Sequence, residues 1–235
     1  MGRPKRAAKG GLIYHVLNRA NARMMIFDKD EDFEAFERTL IEAVAKFNMR
    51  LLSYCLMGNH WHLVVWPRKD EDLSRFTGWL MLTHTQRWHA HQGTTGSGHV
   101  YQGRFKSFPV QDDEHFYTVC RYVEGNALRA GLVKSADEWR WGSLHIWKHG
   151  TADQKAQLLS EWPLPRKRSW LKHVNTPITD AEATAIRKSI QRGCPYGTEQ
   201  WNKRKIKQLG LESTVKPRGR PRKIARMVPD TLFGF

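Results

Sequence analysis

The sequence has few cysteines and no long apolar run, and both absences narrow the classes of protein that it can encode. Its three cysteines, Cys55, Cys120 and Cys194, lie far apart and lack the spacing of a zinc site. No apolar run reaches the roughly 18 residues that a membrane span requires, and the first residues lack the apolar stretch of a signal peptide. We therefore expect reduced thiols, a cytoplasmic location and no membrane partner.

Acidic residues are scarce towards both ends of the chain. The 235 residues include 39 Lys and Arg against 23 Asp and Glu, a net charge of +16. Residues 1–9 hold four basic and no acidic side chains, and residues 161–235 hold 17 basic against 6 acidic, whereas the stretch between them is close to neutral. This distribution predicts a polyanionic partner, with nucleic acid the first candidate. Basic tails that only keep the protein soluble are the alternative.

Apolar periodicity alternates between strand and helix over the first half of the chain. Strands are predicted over residues 11–17, 50–57, 61–66 and 105–110. Helices are predicted over residues 28–47, 71–88 and 112–126. The order is β-α-β-β-α-β followed by a further helix. It predicts an α+β fold, with a ferredoxin-like antiparallel sheet that carries helices on one face and a helical, basic C-terminal extension.

A histidine pair opens the third predicted strand. Side chains alternate along a strand, so His60 and His62 share one face and Trp61 anchors the other face in the core. Two imidazoles at this spacing can bind a single cation. In a chain with 11 histidines the pattern also arises by chance, so two structural histidines are the alternative.

The third predicted helix presents a phenol and an amide beside its apolar stripe. The stripe consists of Phe116, Val119, Cys120 and Val123. Tyr122 lies on one flank of this stripe, and Asn126 follows one turn later on the same flank. A tyrosine at the edge of the core and an asparagine that ends the helix are the structural alternatives.

Three stretches resemble the single-tyrosine HUH transposase superfamily. Residues 54–65, YCLMGNHWHLVV, resemble its His-hydrophobic-His strand, although Trp61 is bulkier than the residue expected between the histidines. Residues 122–133, YVEGNALRAGLV, resemble its nucleophile helix and the turn that follows. Residues 14–19, YHVLNR, resemble its opening strand. The chain is most similar to the branch of REP-associated tyrosine transposases, over about residues 10–148.

The resemblance implies an enzyme that cuts and rejoins single-stranded DNA. Tyr122 would be the nucleophile and would become linked to the 5′ end of the cut strand. The implied metal ligands are His60, His62 and Asn126, a set that suits Mg²⁺ or Mn²⁺. The phosphotyrosine would keep the bond energy, so a free 3′-hydroxyl could rejoin the strand without ATP. The implied substrate is a DNA hairpin with a single-stranded flank, and the enzyme would be associated with the nucleoid.

Candidate DNA contacts lie near these motifs and in the basic tail. Those near the motifs are Asn18, Arg19, Arg23, Arg104 and Lys106. Those in the tail are Arg218, Gly219 and Arg220. The tail sequence PRGRP, residues 217–221, resembles an AT-hook and predicts binding to A·T-rich duplex DNA. A solvated basic tail with general DNA affinity is the alternative.

The chain is expected to divide into four segments. These are a basic N-terminal arm (1–9), the single-tyrosine HUH transposase domain (10–148), a basic and partly helical extension (149–215) and a disordered, AT-hook-like tail (216–235). The protein is expected to be a monomer or a homodimer.

Three other functions account for part of this pattern. A catalytically inactive DNA-binding regulator derived from a transposase would keep the fold and the charge, but it would not need the tyrosine, the two histidines and the asparagine together. A replication or conjugation relaxase would be expected in a longer chain with paired tyrosines. A hydrolytic metal-dependent nuclease would leave no covalent adduct on the DNA.

Overall fold

The computed structural model describes residues 8–216. The strands are β1 (Ile13–Arg19), β2 (Arg50–Met57), β3 (His60–Trp66) and β4 (Lys106–Val110). The helices are α1 (Asp30–Phe47), α2 (Asp72–Gln92), α3 (Glu114–Glu124), α4 (Asn126–Arg129), α5 (Ser143–His149), α6 (Ala152–Leu158), α7 (Trp170–Asn175), α8 (Asp180–Arg192) and α9 (Glu199–Leu209). Each predicted strand and helix of the first half is present, with ends that move by a few residues.

The four strands form one antiparallel sheet in the order β2-β3-β1-β4. Strands β1 and β3 are therefore central, and the connection from β1 through α1 places β2 beyond β3. A two-residue turn, Gly58-Asn59, joins β2 to β3. The predicted α+β fold with a ferredoxin-like sheet and a helical C-terminal region is confirmed.

Helices cover both faces of this sheet, whereas the sequence predicted helices on one face. Helices α1 and α2 pack on the face that carries Trp61 and Leu63, with Phe36 and Phe76 among their buried residues. Helix α3 and the C-terminal helices pack on the face that carries Val64. The reason is visible in β2 and β3, which are buried on both faces and would expose apolar side chains if either face were open.

Trp61 packs in the core below α1 and α2. Its side chain is fully buried, and its indole N–H donates to the hydroxyl of Tyr101 at 3.1 Å. Burial lowers the pKa of His84 to about 3, so this imidazole is neutral and can accept the Tyr101 O–H, 2.8 Å from His84 Nδ1. The bulky residue between the two histidines therefore fits, and it ties β3 to the loop that precedes β4.

The segments that follow α3 are fastened to this helix by a buried carboxylate. Glu124 at the end of α3 accepts hydrogen bonds from the hydroxyl of Ser143 at 2.7 Å and from the indole N–H of Trp170 at 2.6 Å. The guanidinium of Arg166 lies 3.7 Å from the same carboxylate. The predicted extension thus packs against the helix that carries Tyr122.

These later segments also pair with the two outer strands at isolated positions on their free edges. On β2, the backbone N–H of Leu56 donates to the carbonyl of Trp141 at 2.9 Å. On β4, the N–H of Tyr196 donates to the carbonyl of Pro109 at 2.9 Å, and that of Gln111 donates back to Tyr196 at 2.9 Å. Backbone groups that an isolated sheet would leave to water are therefore paired within the chain.

Candidate active site

The two histidines of β3 lie side by side on the face that α3 covers. His60 is half-buried and His62 is buried, and their ring centroids are 5.1 Å apart. Burial, followed by the nearby Arg19, lowers the pKa of His60 to about 4. Burial also holds the pKa of His62 well below its usual value, with His15 and His60 adding to the effect. Both imidazoles are therefore neutral near pH 7, the state in which histidine binds a metal.

The Nδ1 atom of each of these histidines has a partner within the protein. His60 Nδ1 lies 2.7 Å from the side-chain oxygen of Asn59, an acceptor, so this nitrogen carries the proton and Nε2 keeps its lone pair. His62 Nδ1 lies 2.9 Å from Nε2 of His15 on β1. A partner on Nδ1 orients an imidazole and leaves Nε2 for a metal.

The sequence analysis did not identify His15. Its ring is fully buried, 4.9 Å from the ring of Phe108, and burial lowers its pKa to about 3. Within residues 8–216 its Nδ1 has no hydrogen-bond partner. A polar side chain inside the strand run 13–17 was the available signal, but the pairing of β1 with β3 was not predictable from it.

Tyr122 lies against these histidines. Its ring meets the ring of His62 edge-on, with centroids 6.1 Å apart, and that of His15 at 6.4 Å. Helix α3 is capped by Asp113, whose carboxylate accepts from the N–H of His115 at 2.9 Å. The structure therefore brings the predicted nucleophile and the predicted ligand pair together.

Asn126 is not the last residue of α3, as the sequence predicted, but the first of α4. Helix α3 ends at Glu124, and Gly125 links it to the next turn. The Asn126 side-chain oxygen accepts from Arg129 at 3.4 Å, while its amide nitrogen is buried and has no partner within the described chain. The Arg129 guanidinium lies 4.3 Å above the centre of the Tyr122 ring and donates to the Tyr122 carbonyl.

Most of the predicted site residues line a single cavity of about 730 Å³. Its lining includes Asn18, Arg19, His60, His62, Arg104, Lys106, Tyr122 and Asn126. Residues of α8 that sequence reasoning missed also line it, namely Arg187, Ile190 and Gln191. Among the described lining residues there are four Lys and Arg and no Asp or Glu, so the cavity favours an anion.

The remaining predicted contacts lie elsewhere. Arg23 is exposed in a 3-10 turn beside the β2–β3 hairpin and does not line the cavity. Arg218, Gly219 and Arg220 lie outside the described residues. Asn18 lines the cavity, but its amide is committed to the protein: it donates to the carbonyl of Gly103 at 3.0 Å and accepts from the Arg19 N–H at 2.9 Å. Asn18 thus holds the loop that carries Arg104.

The residues of the cavity fit a divalent cation. Within residues 8–216 no three His, Cys, Asp or Glu side chains converge, so a cation there depends on the Asn126 amide as the third ligand. The set would consist of Nε2 of His60, Nε2 of His62 in the tautomer in which its Nδ1 donates to His15, and the side-chain oxygen of Asn126, which otherwise accepts only a 3.4 Å bond from Arg129. Because the three ligands carry no charge, a bound cation would need the negative charge of a phosphate.

Residues 8–126 match the family model described as the IS200-like transposases. The chain belongs to the IS200-like transposase family. The matched segment contains Tyr122, both histidines of β3 and Asn126, and it ends before the α8 residues that line the cavity. No curated protein matches the chain.

Two solved structures resemble this IS200-like transposase. A REP-associated tyrosine transposase bound to a REP hairpin aligns with a TM-score of 0.52 and 16% identity, over 76% of this chain and 96% of that one. A protein assigned to the transposases from Deinococcus radiodurans aligns with a TM-score of 0.38 and 17% identity, over 52% of this chain and 96% of that one. The first likeness confirms the fold. None of the helices within residues 8–216 has the length and apolarity that crossing a membrane requires.

Proposed function

We propose that this IS200-like transposase cuts and rejoins single-stranded DNA at hairpin elements, with Tyr122 as the nucleophile. One observation carries the proposal: Tyr122, the two histidines and Asn126 line the same cationic cavity. A phenol beside two neutral imidazoles and an amide is the set that a tyrosine transesterase needs. An acidic cavity, or a Tyr122 side chain that faces away from the histidines, would argue against the proposal. Among the described residues the cavity lining has no Asp or Glu, and the Tyr122 ring contacts the ring of His62.

The charge of the cavity supports DNA as the substrate. Arg19, Arg104 and Lys106 line it together with Tyr122, and each can bind a phosphate oxygen. A nucleophile held inside a cavity needs access to the phosphate that a duplex denies, so under the proposal the cut strand is unpaired beside the hairpin. The similar structure is bound to a REP hairpin, and we extend that substrate class to this chain.

The chemistry is a transfer of one phosphodiester bond. The Tyr122 oxygen forms a bond to phosphorus as the bond from phosphorus to the 3′-oxygen breaks, and the phenol proton is released. The products are a 5′-phosphotyrosine and a free 3′-hydroxyl. This hydroxyl, or the 3′-hydroxyl of another strand, can attack the phosphotyrosine and release Tyr122, which rejoins the DNA. His60, His62 and Asn126 would hold Mg²⁺ or Mn²⁺, which would neutralise charge on the phosphate and on the leaving oxygen.

Residues of this chain orient the nucleophile. The rings of His15 and His62 meet Tyr122 edge-on, and the guanidinium of Arg129 lies over its face. The phenol therefore has little freedom to rotate away from the cavity. Orientation of this kind is a large part of what an enzyme contributes to a displacement at phosphorus.

The test is a cleavage assay on end-labelled DNA hairpins with single-stranded flanks, in Mg²⁺ or Mn²⁺. Products are separated on a denaturing gel with and without protease. We expect a protease-sensitive adduct on the 5′ end that is absent in Tyr122→Phe. Tyr117→Phe, on the opposite flank of α3, is the matched control and should keep the adduct.

Other outcomes assign other functions. Cleavage without an adduct would indicate a hydrolytic nuclease. Binding without cleavage, across both metals and several hairpins, would indicate a DNA-binding regulator derived from a transposase. Under the proposal, the protein acts on chromosomal DNA in the cytoplasm, as a monomer or a homodimer.

A further inference from the structure

Helix α8 is a packed element of the C-terminal extension. Ala183, Ile186 and Ser189 are buried on the face that it turns to the rest of the protein. Thr179 caps its first turn by accepting from the N–H of Glu182 at 3.2 Å. The side chains on the flank of this helix are therefore presented from a fixed position.

That flank forms one wall of the cavity that contains Tyr122. Arg187 and Gln191 both line the cavity and lie one helical turn apart, with Ile190 between them. The family match ends at Asn126, so these residues come from a part of the chain that the match does not include. The extension thus reaches the cavity of its own chain.

The guanidinium of Arg187 has no counter-charge at this wall. Within residues 8–216 no carboxylate lies in ion-pair range of it. The other charged residues of the described lining, Arg19, Arg104 and Lys106, are also basic. An anion bound beside Arg187 would offset the repulsion among these like charges.

We propose that Arg187 binds a backbone phosphate of the DNA strand that Tyr122 attacks. The guanidinium fork suits phosphate oxygens, which it can bind in pairs. The C-terminal extension would then complete the DNA-binding cavity in the same chain. This inference rests on the proposed function, because it assumes that the strand lies beside Tyr122.

The test measures DNA binding rather than cleavage. Arg187→Gln is made in the full chain on a Tyr122→Phe background, and its affinity for a fluorescent hairpin with a single-stranded flank is measured by anisotropy between 50 and 200 mM salt. Loss of one charged phosphate contact predicts binding about tenfold weaker. The slope of log affinity against log salt should fall by about one.

Lys188→Gln is the matched control. Lys188 is the next residue of α8, is exposed and does not line this cavity, so the same change of charge should leave the affinity within about twofold of the parent. A hairpin without a flank should bind Arg187→Gln and its parent equally, because no strand then reaches Tyr122. Thermal unfolding of both variants confirms that α8 remains packed.

Equal affinities of Arg187→Gln and Lys188→Gln for the flanked hairpin would overturn the inference. Its failure is distinguishable from failure of the proposed function. If the wild-type protein forms no adduct but Arg187→Gln selectively loses flank binding, the phosphate site stands and the chemistry does not. If the adduct forms and Arg187→Gln binds like its parent, the chemistry stands and the phosphate site does not.

Discussion

The Nε2 atom of His15 lies 2.9 Å from the Nδ1 atom of His62, across the two central strands of the sheet. One of the two rings donates in this contact. If His62 donates, its Nε2 has a free lone pair for a cation, but the proton of His15 then sits on a buried Nδ1 without a partner in the described chain. The ligand-competent tautomer is therefore the costlier one, and a bound cation would stabilise it.

Replacing His15 should weaken metal binding more than it weakens the fold. His15→Phe fills the same space next to Phe108 but leaves His62 Nδ1 without a partner, so we expect Mn²⁺ affinity to fall by about tenfold or more. His15→Gln can still meet His62 Nδ1 and should recover part of that affinity. Calorimetric titration of Mn²⁺ into the protein with bound hairpin gives the affinities, and thermal unfolding checks the fold. Equal Mn²⁺ affinity in wild type and His15→Phe would contradict the role.

Glu124→Gln should loosen the contact between α3 and the extension. The amide keeps the size of the side chain but removes the charge that faces Arg166 and replaces one of the two oxygens that accept from Ser143 and Trp170 with a donor. Breaking a buried pair in this way costs about 3 kcal/mol of unfolding free energy, measurable by urea denaturation.

Glu114→Gln is the control for that change. Glu114 pairs with Lys167 at 2.7 Å on the surface, with 75% of its side chain exposed, so its loss should cost less than about 1 kcal/mol. If both substitutions have the same small effect, Glu124 does not fasten the extension.

Much of the fold follows from local patterns, whereas the site depends on contacts that span the chain. The two-residue period of His60-Trp61-His62 was enough to place both imidazoles on one face. The end of α3 was missed because Gly125 breaks the helix just before Asn126, and helix ends carry weak signals. His15 reaches the site only through the register of β1 with β3. Arg187 reaches it only because α8 packs back onto the sheet, and no local pattern encodes that return.

His84 should make stability depend on pH in mildly acidic solution. Its folded-state pKa of about 3 lies below its ordinary value of 6.5, so the unfolded chain takes up a proton that the folded protein excludes. The contribution of His84 to the free energy of unfolding is fully present above pH 6.5. It is lost as the pH falls towards 3, by up to about 1.4 kcal/mol per pH unit. The charge of Asp32 acts in the opposite direction, and Tyr101 is the hydrogen-bonding neighbour.

Comparison with His84→Phe isolates this effect from the titration of carboxylates. The variant loses the acceptor for Tyr101, so it should be less stable at pH 7. Between pH 6.5 and 5, however, its unfolding free energy should fall less steeply than that of the wild type. Parallel curves from urea denaturation over this range would show that His84 does not titrate on unfolding.

Removal of residues 217–235 should separate the two expected modes of DNA binding. The deletion takes away Arg218, Gly219 and Arg220 but none of the residues that line the cavity. We expect cleavage of hairpins to continue and affinity for A·T-rich duplex DNA to fall, as seen by competition with G·C-rich duplex of equal length. An equal fall for both duplexes would indicate general electrostatic affinity instead of an AT-hook.

The covered edges of the sheet restrict how two copies of this protein could associate. The free side of β2 is occupied by the segment around Trp141, and that of β4 by the segment around Tyr196. A strand that a second molecule added over these positions would have to displace one of these segments. A homodimer formed through helices or loops would leave these contacts intact, and at the paired positions the same contacts oppose edge-to-edge aggregation.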